Sequence, residues 1–463
     1  MIDIDRDKYF TSCNVGIVGA GYVGLVVAGI LSERGHYVGV YDINKDKLNI
    51  LNQGKIYISE PHLEEYFDRN KRNAIEIYDS LEELVLYKNI IFVTVGTPNG
   101  TEYVDQVAKD IGTALRSRKD YPRRYIILKS TVPPTYVSKF AQTIKSYAGG
   151  EIPVIYNPEF LSEGNATCDM TYPDKLVIGT KDGKIPHKIR ELYEKVYPDM
   201  NKILISTTWE NAAMIKYANN AFLASKITFI NQIADVCENI PNCDVNVVAK
   251  GIGYDDRISP KFLKAGLGYG GSCLTKDIKA MLDFHEMPLK MLETVNMCNY
   301  GRRFIPRDIM WNVWKSEDFK HKTIAILGLS FKPNTDDIRD SPAITIIDQI
   351  LKNKVFEGMR INVYDPKATE DFKNLYSGVG TKLVRCPSAK YALKGADMAI
   401  ICTDWDEFKT LDADDFKLLM NDPIVIDGRR LYDPEKLIRE GIKYYGIGYG
   451  NNAINRKKAS KSN

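Results

Sequence analysis

The sequence predicts an α/β fold with two doubly wound domains joined by a long central helix. Short apolar runs alternate with amphipathic stretches over residues 15–158, and the same alternation returns over residues 323–427. Such alternation is typical of parallel sheets covered by helices on both faces. Between these regions, residues 207–240 carry a helical period without glycine or proline. The expected domain boundaries are 1–206, 207–318 and 319–450, with a basic tail at 451–463.

The strands of the two domains follow one repeated plan. The run VGIVG at 15–19 leads into an apolar helix that stops at Gly35, and a second strand ends at Asp42. The other expected strands are 90–95, 125–130 and 153–158 in the first domain and 323–328, 361–365, 398–403 and 423–427 in the second. Because a strand ending in Val-Tyr-Asp occurs in both, both domains are expected to be Rossmann-like. The first turn of the second domain, GLSFKPNTDD, lacks G-x-G-x-x-G, so we expect it to bind something other than a dinucleotide.

The central helix is expected to connect the two domains and to form an oligomer interface. Thr207 and Glu210 have the three-residue spacing of a capping box, which predicts where the helix begins. A helix of this length between two α/β regions is typical of a dimerisation region, so we expect a homo-oligomer that is at least a dimer.

Composition argues against several classes of partner and site. Hydrophobic residues make up 44 % of the chain and charged residues 27 %, which is typical of globular proteins. The net charge of +3 gives no reason to expect a nucleic-acid or membrane partner. The eight cysteines are scattered, without a C-x-x-C pair or nearby histidines. That pattern argues against a metal site and favours a reducing compartment.

The two ends of the chain predict a cytoplasmic protein. The N-terminus, MIDIDRDKYF, is polar and acidic and has no apolar segment of the kind found in secretion signals. The last residues, NRKKASKSN, are basic and lack apolar anchors, so a solvated tail is expected rather than a targeting signal.

Three glycines after the first strand predict a dinucleotide site. Gly19, Gly21 and Gly24 allow a tight turn, close approach of a pyrophosphate and close packing of the following helix. The phosphates would lie at the helix N-terminus, whose N–H groups favour anions. Asp42 ends the next strand, where a carboxylate binds both ribose hydroxyls and repels a 2′-phosphate, so NAD is expected rather than NADP. The alternative is a purely structural turn, which would not account for the aspartate.

The stretch GLGYGGSCLTKD at 266–277 predicts a nucleophilic cysteine. Its glycines let a substrate approach the backbone, and Ser-Cys then opens a helical pattern. At a helix N-terminus, Cys273 would feel the positive end of the dipole, which favours the thiolate. Asp277 lies four residues further on, on the same helix face. A small buried cysteine after a flexible loop is the better interpretation of this stretch taken alone.

Two further pairs of residues favour catalysis at this cysteine. Lys216 and Asn220 are four apart on the long helix and offer a positive charge and an amide donor to an oxyanion. Glu159 and Glu163 follow a strand at the edge that faces the cofactor crevice, where a carboxylate activates water or binds substrate. Thr131 ends another strand at the same edge and could hold a water or a substrate oxygen. The alternatives are a solvated helical lysine and ordinary loop charges.

Taken together, these blocks resemble the UDP-glucose/GDP-mannose dehydrogenase family. The resemblance is carried by GAGYVG, VGTP, STVPP, NPEFLSEG, KYANNAFLASK, RISPKFLKAGLGYGGSCLTKD, GLSFKPNTDDIRDSP and DGRR, in the family's order from about Asn14 to Gly450. It implies an NAD-dependent enzyme that oxidises UDP-glucose to UDP-glucuronate. In that chemistry two hydrides are removed in succession, and the cysteine holds the substrate as a thiohemiacetal and then as a thioester.

The resemblance also implies roles for individual residues. Cys273 would be the nucleophile, with Lys216, Asn220 and Asp277 assisting hydride transfer and stabilising the oxyanion. Thr131 and Glu163 would position water, and Glu159 would be the base for thioester hydrolysis. The implied cofactor contacts are Gly19, Gly21, Tyr22, Val23, Gly24, Asp42, Lys47, Thr97, Ser130, Thr131, Glu163, Lys276 and Arg339. The implied substrate contacts are Glu159, Phe160, Leu161, Ser162, Glu163, Lys216, Asn220, Phe262, Lys264, Gly268, Tyr269, Gly270, Phe331, Lys332, Arg429 and, reaching a neighbouring subunit, Arg257.

The alternative functions differ in substrate or in class. The nearest alternative is the same chemistry on GDP-mannose or a UDP-N-acetylhexosamine. Ser272 argues against the hexosamine, whose enzymes tend to carry Gly-His-Cys, and KFLKA at 261–265 favours UDP-glucose over GDP-mannose. A two-electron hydroxyacid dehydrogenase would need neither Cys273 nor a second nucleotide-binding domain. A nonenzymatic nucleotide-sugar sensor would not need Cys273, Lys216 and Asp277.

The chain departs from the family pattern at two places. The spacer PNGTEYVDQV that follows Thr97 is shorter than usual, which leaves the local cofactor and substrate loop open. Thr275 stands where many members have proline, CLTKD for CLPKD, a change that we expect to be tolerated.

Overall fold

The fold divides into two units between Ala218 and Asn219. The computed structural model describes residues 12–70, 74–98, 100–116, 124–284, 287–315, 319–368 and 370–452. The expected absence of a secretion signal in residues 1–10 and the expected tail after residue 452 lie outside these ranges. Across the described ranges, no helix is both long and apolar enough to cross a membrane.

The first unit is built on one large sheet. Its described strands are β1 (Asn14–Val18), β2 (Tyr37–Tyr41), β3 (Ile75–Ile77), β4 (Ile90–Val93), β5 (Tyr125–Leu128), β6 (Val154–Tyr156), β7 (Leu176–Thr180) and β8 (Leu204–Thr208). They lie in the order β3-β2-β1-β4-β5-β6-β7-β8. Strand β4 is buried at every position, as expected where helices cover both faces of a sheet. Strand order reverses between β1 and β4, where ligands bind in doubly wound folds.

The sheet differs from the sequence-based expectation at its far edge. Strands β6 and β7 pair antiparallel, whereas the other neighbouring pairs are parallel. Antiparallel neighbours need no crossover helix, so the connection between them holds only a short one. The sequence did not predict β3, β7 or β8. Strand β3 has only three residues, and β8 is half exposed, so neither presents a long apolar run.

Helices cover both faces of the first sheet. They are α1 (Tyr22–Glu33), α2 (Lys45–Asn52), α3 (Leu63–Asn70), α4 (Leu81–Tyr87), α5 (Glu102–Arg116), α6 (Tyr136–Ala148), α7 (Ala166–Thr171) and α8 (His187–Val196). Helix α1 is buried continuously from Gly24 to Ser32, which explains why it carries no polar face. Helix α2 begins where the Asn44 side chain accepts hydrogen bonds from the backbone N–H groups of Asp46 and Lys47.

Helix α9 (Trp209–Glu238) begins in the first unit and ends in the second. Its thirty residues confirm the long helix predicted from the sequence. The predicted capping box is wrong, because Thr207 pairs with Gly179 in the sheet and remains part of β8. The hydroxyl of Thr208 instead accepts a hydrogen bond from the Asn211 N–H, at 3.4 Å.

The second unit contains helices α10 (Val245–Gly253), α11 (Ser272–Phe284), α12 (Lys290–Gly301) and α13 (Ile305–Trp314), followed by a second sheet. The described strands of this sheet are β9 (Thr323–Leu327), β10 (Arg360–Tyr364), β11 (Leu383–Arg385), β12 (Met398–Ile401), β13 (Ile424–Asp427) and β14 (Lys443–Gly446). Its helices are α14 (Pro342–Lys352), α15 (Glu370–Leu375), α16 (Ala389–Leu393), α17 (Ala413–Leu419) and α18 (Pro434–Arg439).

The second sheet repeats the plan of the first. Its order is β11-β10-β9-β12-β13-β14, and every pair is parallel. Read from its own first strand, this is the order 3-2-1-4-5-6 of dinucleotide-binding folds. The first six strands of the first sheet have the same order, so the expectation of two Rossmann-like domains is confirmed.

Candidate active site

The glycine turn between β1 and α1 has the geometry of a dinucleotide loop. Gly19 has a φ of +104°, which favours glycine. A Cβ atom at Gly24 would collide with the carbonyl oxygen of Gly19, so the third glycine is needed for helix and strand to pack. A Cβ atom at Gly21 would meet nothing within 4 Å. The second glycine therefore faces open space, as close approach of a pyrophosphate requires.

Asp42 ties the end of β2 to this turn. Its carboxylate accepts hydrogen bonds from the N–H groups of Ala20, at 2.8 Å, and Asn44, at 2.9 Å. The ammonium of Lys47 lies 3.9 Å from the same carboxylate. A carboxylate offers roughly four lone-pair positions, so two backbone bonds leave capacity for ribose hydroxyls. The residues present therefore fit the adenosine end of NAD.

The loops after β4 and β5 carry the next predicted contacts. The hydroxyl of Ser130 donates to the carbonyl oxygen of Val95, at 2.7 Å, and that of Thr97 donates to the carbonyl oxygen of Thr131, at 3.2 Å. These bonds join the two loops at the carboxyl edge of the sheet. Three of the predicted residues are therefore brought to the strand ends beside the switch point.

Glu159 and Lys216 form a buried ion pair in the first unit. The Lys216 ammonium lies 2.9 Å from the Glu159 carboxylate, and both side chains are almost inaccessible to solvent. Burial raises the pKa of Glu159, but Lys216 and a backbone hydrogen bond from Leu161 outweigh it, so the net shift is downward. Lys216 also lies over the ring of Phe160, as does Lys175 from 4.2 Å. Glu159 is therefore held as a carboxylate between cations.

A buried lysine behind this pair was missed in the sequence. The Lys129 ammonium donates to the side-chain oxygen of Asn157, at 2.8 Å, which also accepts from the Tyr193 hydroxyl at 2.6 Å. The Asn157 amide donates in turn to the carbonyl oxygen of Val177. Burial lowers the pKa of Lys129 to about 8, opposed by Glu159 and assisted by Lys216. Lys129 directly follows the apolar strand β5, so no spacing signal distinguished it from an ordinary lysine after a strand.

The loop NPEFLSEG is folded by carboxylates from elsewhere in the first unit. The Gly164 N–H donates to Glu60, at 2.8 Å, and to the hydroxyl of Tyr22, the first residue of α1. The Ser162 N–H donates to Asp169, at 2.8 Å. These bonds place the partly exposed Glu163 on a loop that touches the start of the cofactor helix.

In the second unit, Cys273 is the second residue of α11, as the sequence predicted, and its side chain is exposed. The Ser272 hydroxyl lies 3.8 Å from the Cys273 sulfur. One turn further into the helix, the buried Asp277 carboxylate accepts a hydrogen bond from the Asn220 amide of α9, at 2.7 Å. Lys276 lies 3.8 Å from the same carboxylate. The structure therefore brings Asn220 and Asp277 together beneath the turn that carries the thiol.

The glycine loop before Cys273 is held by polar residues that the sequence did not reveal. The Asn299 side chain bonds both the N–H and the carbonyl oxygen of Tyr269. The Asn231 side chain accepts from the Gly266 N–H, at 2.8 Å, and Arg302 donates to the Gly266 carbonyl oxygen, at 3.1 Å. These partners are scattered over α9 and the end of α12, so no motif could have indicated them.

Two cationic side chains, Arg429 and Lys264, lie in the second unit, and Arg429 contacts the first turn of the second Rossmann-like domain. Arg429 donates to the carbonyl oxygens of Cys402, at 2.6 Å, and Phe331, at 3.2 Å. Lys264 lies 2.5 Å from the Asp404 carboxylate. Burial raises the pKa of Asp404, but Arg429 and Lys264 outweigh it and the net shift is downward. A positively charged edge of this kind suits a diphosphate.

The predicted residues are thus divided between the two units. The first unit holds Gly19, Gly21, Tyr22, Val23, Gly24, Asp42, Lys47, Thr97, Ser130, Thr131, Glu159, Phe160, Leu161, Ser162, Glu163 and Lys216. The second holds Asn220, Arg257, Phe262, Lys264, Gly268, Tyr269, Gly270, Cys273, Lys276, Asp277, Phe331, Lys332, Arg339 and Arg429. Arg257 is exposed and clasps Asp255, and Arg339 clasps Asp337 in the same way.

A glycine turn closed by Asp42, in a sheet of dinucleotide-binding order, defines a protein of the dinucleotide-binding class. Family models agree along the chain. The NAD binding domain of the UDP-glucose/GDP-mannose dehydrogenase family matches residues 13–197, its central domain matches 210–301, and its UDP binding domain matches 325–434.

Known relatives resemble the chain over nearly its whole length. A UDP-glucose 6-dehydrogenase from Rhizobium meliloti (strain 1021) is 37 % identical over 450 residues, covering 94 % of this chain and 99 % of the relative. The UDP-glucose 6-dehydrogenase YwqF from Bacillus subtilis (strain 168) is also 37 % identical, over 94 % of this chain and 97 % of the relative. A UDP-glucose dehydrogenase structure from the archaeon Pyrobaculum islandicum matches with a TM-score of 0.85 at 29 % identity, covering 96 % and 99 % of the two chains.

The chain belongs to the UDP-glucose/GDP-mannose dehydrogenase family. It is an NAD-dependent oxidoreductase of nucleotide sugars, which confirms the cofactor, the class of enzyme and the family expected from the sequence. The match of residues 325–434 to a UDP binding domain also agrees with the expectation that the second Rossmann-like domain binds something other than a dinucleotide.

Proposed function

We propose that this protein oxidises UDP-glucose to UDP-glucuronate through a covalent thioester on Cys273. Full-length relatives of 37 % identity that are named UDP-glucose 6-dehydrogenase support the substrate. The observation that carries the chemistry is the exposed thiol in the first turn of α11, above the buried pair of Asn220 and Asp277. We further propose that residues 1–206 bind NAD, 207–318 form the helical region with the cysteine loop, and 319–450 bind the UDP-sugar.

The reaction removes four electrons from one carbon atom. The primary alcohol loses a hydride and a proton to become an aldehyde, and the thiolate adds to that carbon as a thiohemiacetal. Loss of a second hydride and proton gives a thioester. Water then cleaves the carbon–sulfur bond, which releases the carboxylic acid and returns the thiol. Bound NAD would supply the hydride acceptor for both oxidations, so the balance is two molecules of NAD and one of water for each sugar.

Residues of the second unit would act on the thiol and the oxyanion. Cys273 is the second residue of α11, and the positive end of the helix dipole there would support a thiolate nucleophile. The Asn220 amide and the Asp277 carboxylate are fixed to each other at 2.7 Å, so neither needs to reorganise during the reaction. We propose that Asn220 donates a hydrogen bond to the developing oxyanion and that Asp277 keeps the amide oriented.

Residues of the first unit would manage protons and water. The Lys216 ammonium supplies a fixed positive charge for an oxyanion, because its ion pair with Glu159 keeps it in place. Glu159 has a lowered pKa and is therefore ionised at neutral pH, as a base for thioester hydrolysis requires. Glu163 and Thr131 lie on neighbouring strand-end loops, where they would orient the attacking water.

Cofactor and substrate would be held by the sets of residues predicted from the sequence. For NAD, the turn from Gly19 to Gly24 would take the pyrophosphate, and Asp42 would take the adenosine ribose. Lys47, Thr97, Ser130, Lys276 and Arg339 are proposed as further contacts. For the sugar nucleotide, we propose the residues Phe160 to Ser162, Phe262, Lys264, Gly268 to Gly270, Phe331, Lys332 and Arg429.

We also propose a homo-oligomer that forms through α9. Phe222, Phe229 and Val236 recur every seven residues on this helix, and all three are more than half exposed. Such spacing gives one apolar face that a second chain would cover. Arg257 is available to reach a neighbouring subunit, since 89 % of its side chain is exposed. A fully active monomer in sedimentation at assay concentration would contradict this assembly.

A cytoplasmic location completes the proposal. No disulfide joins any of the eight cysteines, all of which lie in the described ranges. A reducing compartment is consistent with this pattern and would preserve the thiolate that the mechanism requires.

The decisive experiment replaces Cys273 by serine. The hydroxyl preserves the shape of the site but is a far poorer nucleophile and leaving group than the thiolate. We expect steady-state turnover to fall by about three orders of magnitude or more, while NAD and UDP-glucose still bind. Cys168→Ser is the matched control, because Cys168 is also exposed but lies on α7 in the first unit.

Mass spectrometry of the peptide that contains residue 273 tests the covalent route directly. The serine variant, incubated with both substrates, should retain a sugar-nucleotide ester that hydrolyses slowly. Wild-type turnover by Cys273→Ser would overturn the thioester route. Measuring NADH formation with UDP-glucose, GDP-mannose and UDP-N-acetylhexosamines would decide the sugar, and a preference for either alternative would overturn that assignment.

A further inference from the structure

The carboxylate of Asp340 joins two residues that are distant in sequence. One of its oxygens accepts a hydrogen bond from the Arg303 guanidinium, at 2.6 Å, and the other accepts from the Thr275 hydroxyl, also at 2.6 Å. Thr275 lies two residues after Cys273 in the first turn of α11. All of these residues belong to the second unit. The carboxylate therefore fastens the turn that carries the thiol.

Arg303 is the anchor of this arrangement. Its side chain is 3 % exposed, so its charge needs a partner, and Asp340 provides one. The guanidinium also donates to the carbonyl oxygen of Tyr269, at 3.2 Å, and to the hydroxyl of Thr345 on α14, at 3.0 Å. One arginine thus holds the glycine loop, the Asp340 carboxylate and the first helix of the second Rossmann-like domain.

The backbone makes the same connection. The Gly271 N–H donates to the carbonyl oxygen of Arg339, at 2.9 Å, and a Cβ atom at Gly270 would collide with the carbonyl oxygen of Asp340. Asp340 itself has a φ of +51°, a conformation that aspartate tolerates better than most residues. The glycine loop therefore packs directly against residues 339–340, and the side-chain hydrogen bonds of Asp340 stabilise this contact.

We propose that Arg303, Asp340 and Thr275 are positioning residues for Cys273. Through Asp340 they fix the first turn of α11, and with it the sulfur, relative to the turn of the UDP binding domain that begins at Gly328. The proposal rests on the proposed function, in which Cys273 is the nucleophile. One set of hydrogen bonds would hold both the thiol and the turn that binds the nucleotide. The sugar carbon would therefore already lie close to the sulfur when the substrate binds.

Loss of the hydrogen bonds among Arg303, Asp340 and Thr275 should lower kcat and leave the affinities for cofactor and sugar nucleotide unchanged. None of the three side chains needs to touch cofactor or sugar, so the affinities for both should persist. The sulfur would sample positions away from the reacting carbon, and a displacement of about 1 Å can cost up to a hundred-fold in rate. Loss of one hydroxyl contact, with Arg303 and Asp340 retained, should cost roughly ten-fold in kcat.

The experiment compares Thr275→Val with Thr275→Ser in the full-length enzyme. Valine keeps the branched shape without the hydroxyl, and serine keeps the hydroxyl without the methyl group. We expect Thr275→Val to lower kcat roughly ten-fold, with both KM values within about two-fold of wild type, and Thr275→Ser to restore most of the rate. The matched control is Thr294→Val, whose hydroxyl bonds only the Lys290 carbonyl oxygen of its own helix in the described structure.

Alkylation of Cys273 by iodoacetamide, followed on its peptide by mass spectrometry, supplies a readout independent of turnover. The rate for Thr275→Val should differ several-fold from wild type, whereas that for Thr275→Ser should not. Wild-type kcat and alkylation in Thr275→Val, together with an inactive Cys273→Ala, would overturn the positioning role and leave the nucleophile intact. Equal losses in the valine and serine variants would assign the effect to packing. Full activity of Cys273→Ala would overturn the proposed function itself.

Discussion

In both Rossmann-like sheets an aspartate directly follows the second strand, and the two carboxylates form different sets of hydrogen bonds. Asp42 accepts two backbone hydrogen bonds, from Ala20 and Asn44. Asp365 is buried and accepts six, which come from the backbone N–H groups of Leu329, Ser330, Lys367 and Ala368, the Ser330 hydroxyl and the Trp405 indole. Since a carboxylate has roughly four lone-pair positions, the second is saturated by its own chain.

The contrast teaches that strand order alone does not define a dinucleotide site. Gly328 also has a positive φ, +92° compared with +104° at Gly19, and it packs as tightly, against Thr403. Five residues after Gly328, however, the chain has Pro333, where the first domain has the glycine that lets helix meet strand. The turn after Gly328 is hydrogen-bonded to Asp365, which also accepts from Trp405. Two sheets of the same topology therefore present different ligand-binding surfaces at their first turns.

The largest effect is expected from Asp365→Asn. An amide can accept at only one end, so at least two donors, the N–H groups of Lys367 and Ala368, would lose their acceptor, at about 1–3 kcal/mol each where the group is buried. We expect the free energy of unfolding of the second unit to fall by about 3 kcal/mol or more, measured by calorimetry. Asp42→Asn is the matched control, because each of its oxygens serves one backbone donor, and it should lose less than half as much. Equal losses would contradict the contrast between the two aspartates.

The next effect separates the ligands of the two domains. Asp42→Ala should lower kcat/KM for NAD by roughly a hundred-fold, because the two hydrogen bonds proposed from the ribose hydroxyls to the charged carboxylate are lost. It should also erase most of the preference for NAD over NADP, whereas the wild-type enzyme should strongly prefer NAD. Steady-state kinetics with both cofactors measures this. Comparable kcat/KM for NAD and NADP in the wild type would contradict the role of Asp42.

Arg429→Ala is the reciprocal variant for that measurement. It should raise KM for UDP-glucose roughly ten-fold, as expected when one charged contact to a phosphate is lost. The KM for NAD should stay within about two-fold of wild type. An equal loss of NAD affinity would mean that the two ligands have been assigned to the wrong domains.

The smallest effect concerns two buried cations and depends on pH. Burial lowers the pKa of Lys129 to about 8, whereas Arg430, although buried, has a raised pKa because Asp244 pairs with it. At pH values between 8 and the ordinary pKa of lysine, Lys129 is protonated in the unfolded chain but deprotonated in the folded protein. Stability therefore rises with pH there, by at most about 1.4 kcal/mol per pH unit, and the burial penalty is present in full below pH 8.

Comparison with Lys129→Met isolates this contribution. Urea unfolding at pH 7.5 and 9.5 should show the wild type gaining stability relative to the variant at the higher pH. Arg430→Met should show no such trend, since the guanidinium stays charged throughout. A wild-type advantage that is constant with pH would mean that Lys129 keeps an ordinary pKa.

The sequence predicted the parts of the fold that depend on local pattern. The glycine turn, the thirty-residue helix and the helix start beside Cys273 each have a signal in neighbouring residues, and each is found. The capping box failed because pairing of Thr207 with Gly179 in the sheet overrides a local preference. Strand β3 was missed because it is shorter than the window in which a period of two can be read.

The candidate site was predictable only where a motif surrounds the residue. Asn231, Arg302 and Arg303 hold the glycine loop from more than thirty residues away in sequence, and their own neighbours carry no comparable signal. Lys129 resembles any lysine at the end of a strand until Asn157 and Tyr193 are seen around it. Such contacts are set by the tertiary fold, which one sequence does not display.

In the glycine turn of the first domain, substitutions at Gly24 and at Gly21 should be harmful for different reasons. Alanine at Gly24 would strike the Gly19 carbonyl oxygen, so such an allele should be lost through misfolding and degradation. Alanine at Gly21 meets no protein atom within 4 Å, so that allele should yield an abundant protein that cannot hold its cofactor. Three residues apart, one position is under selection for folding and the other for chemistry.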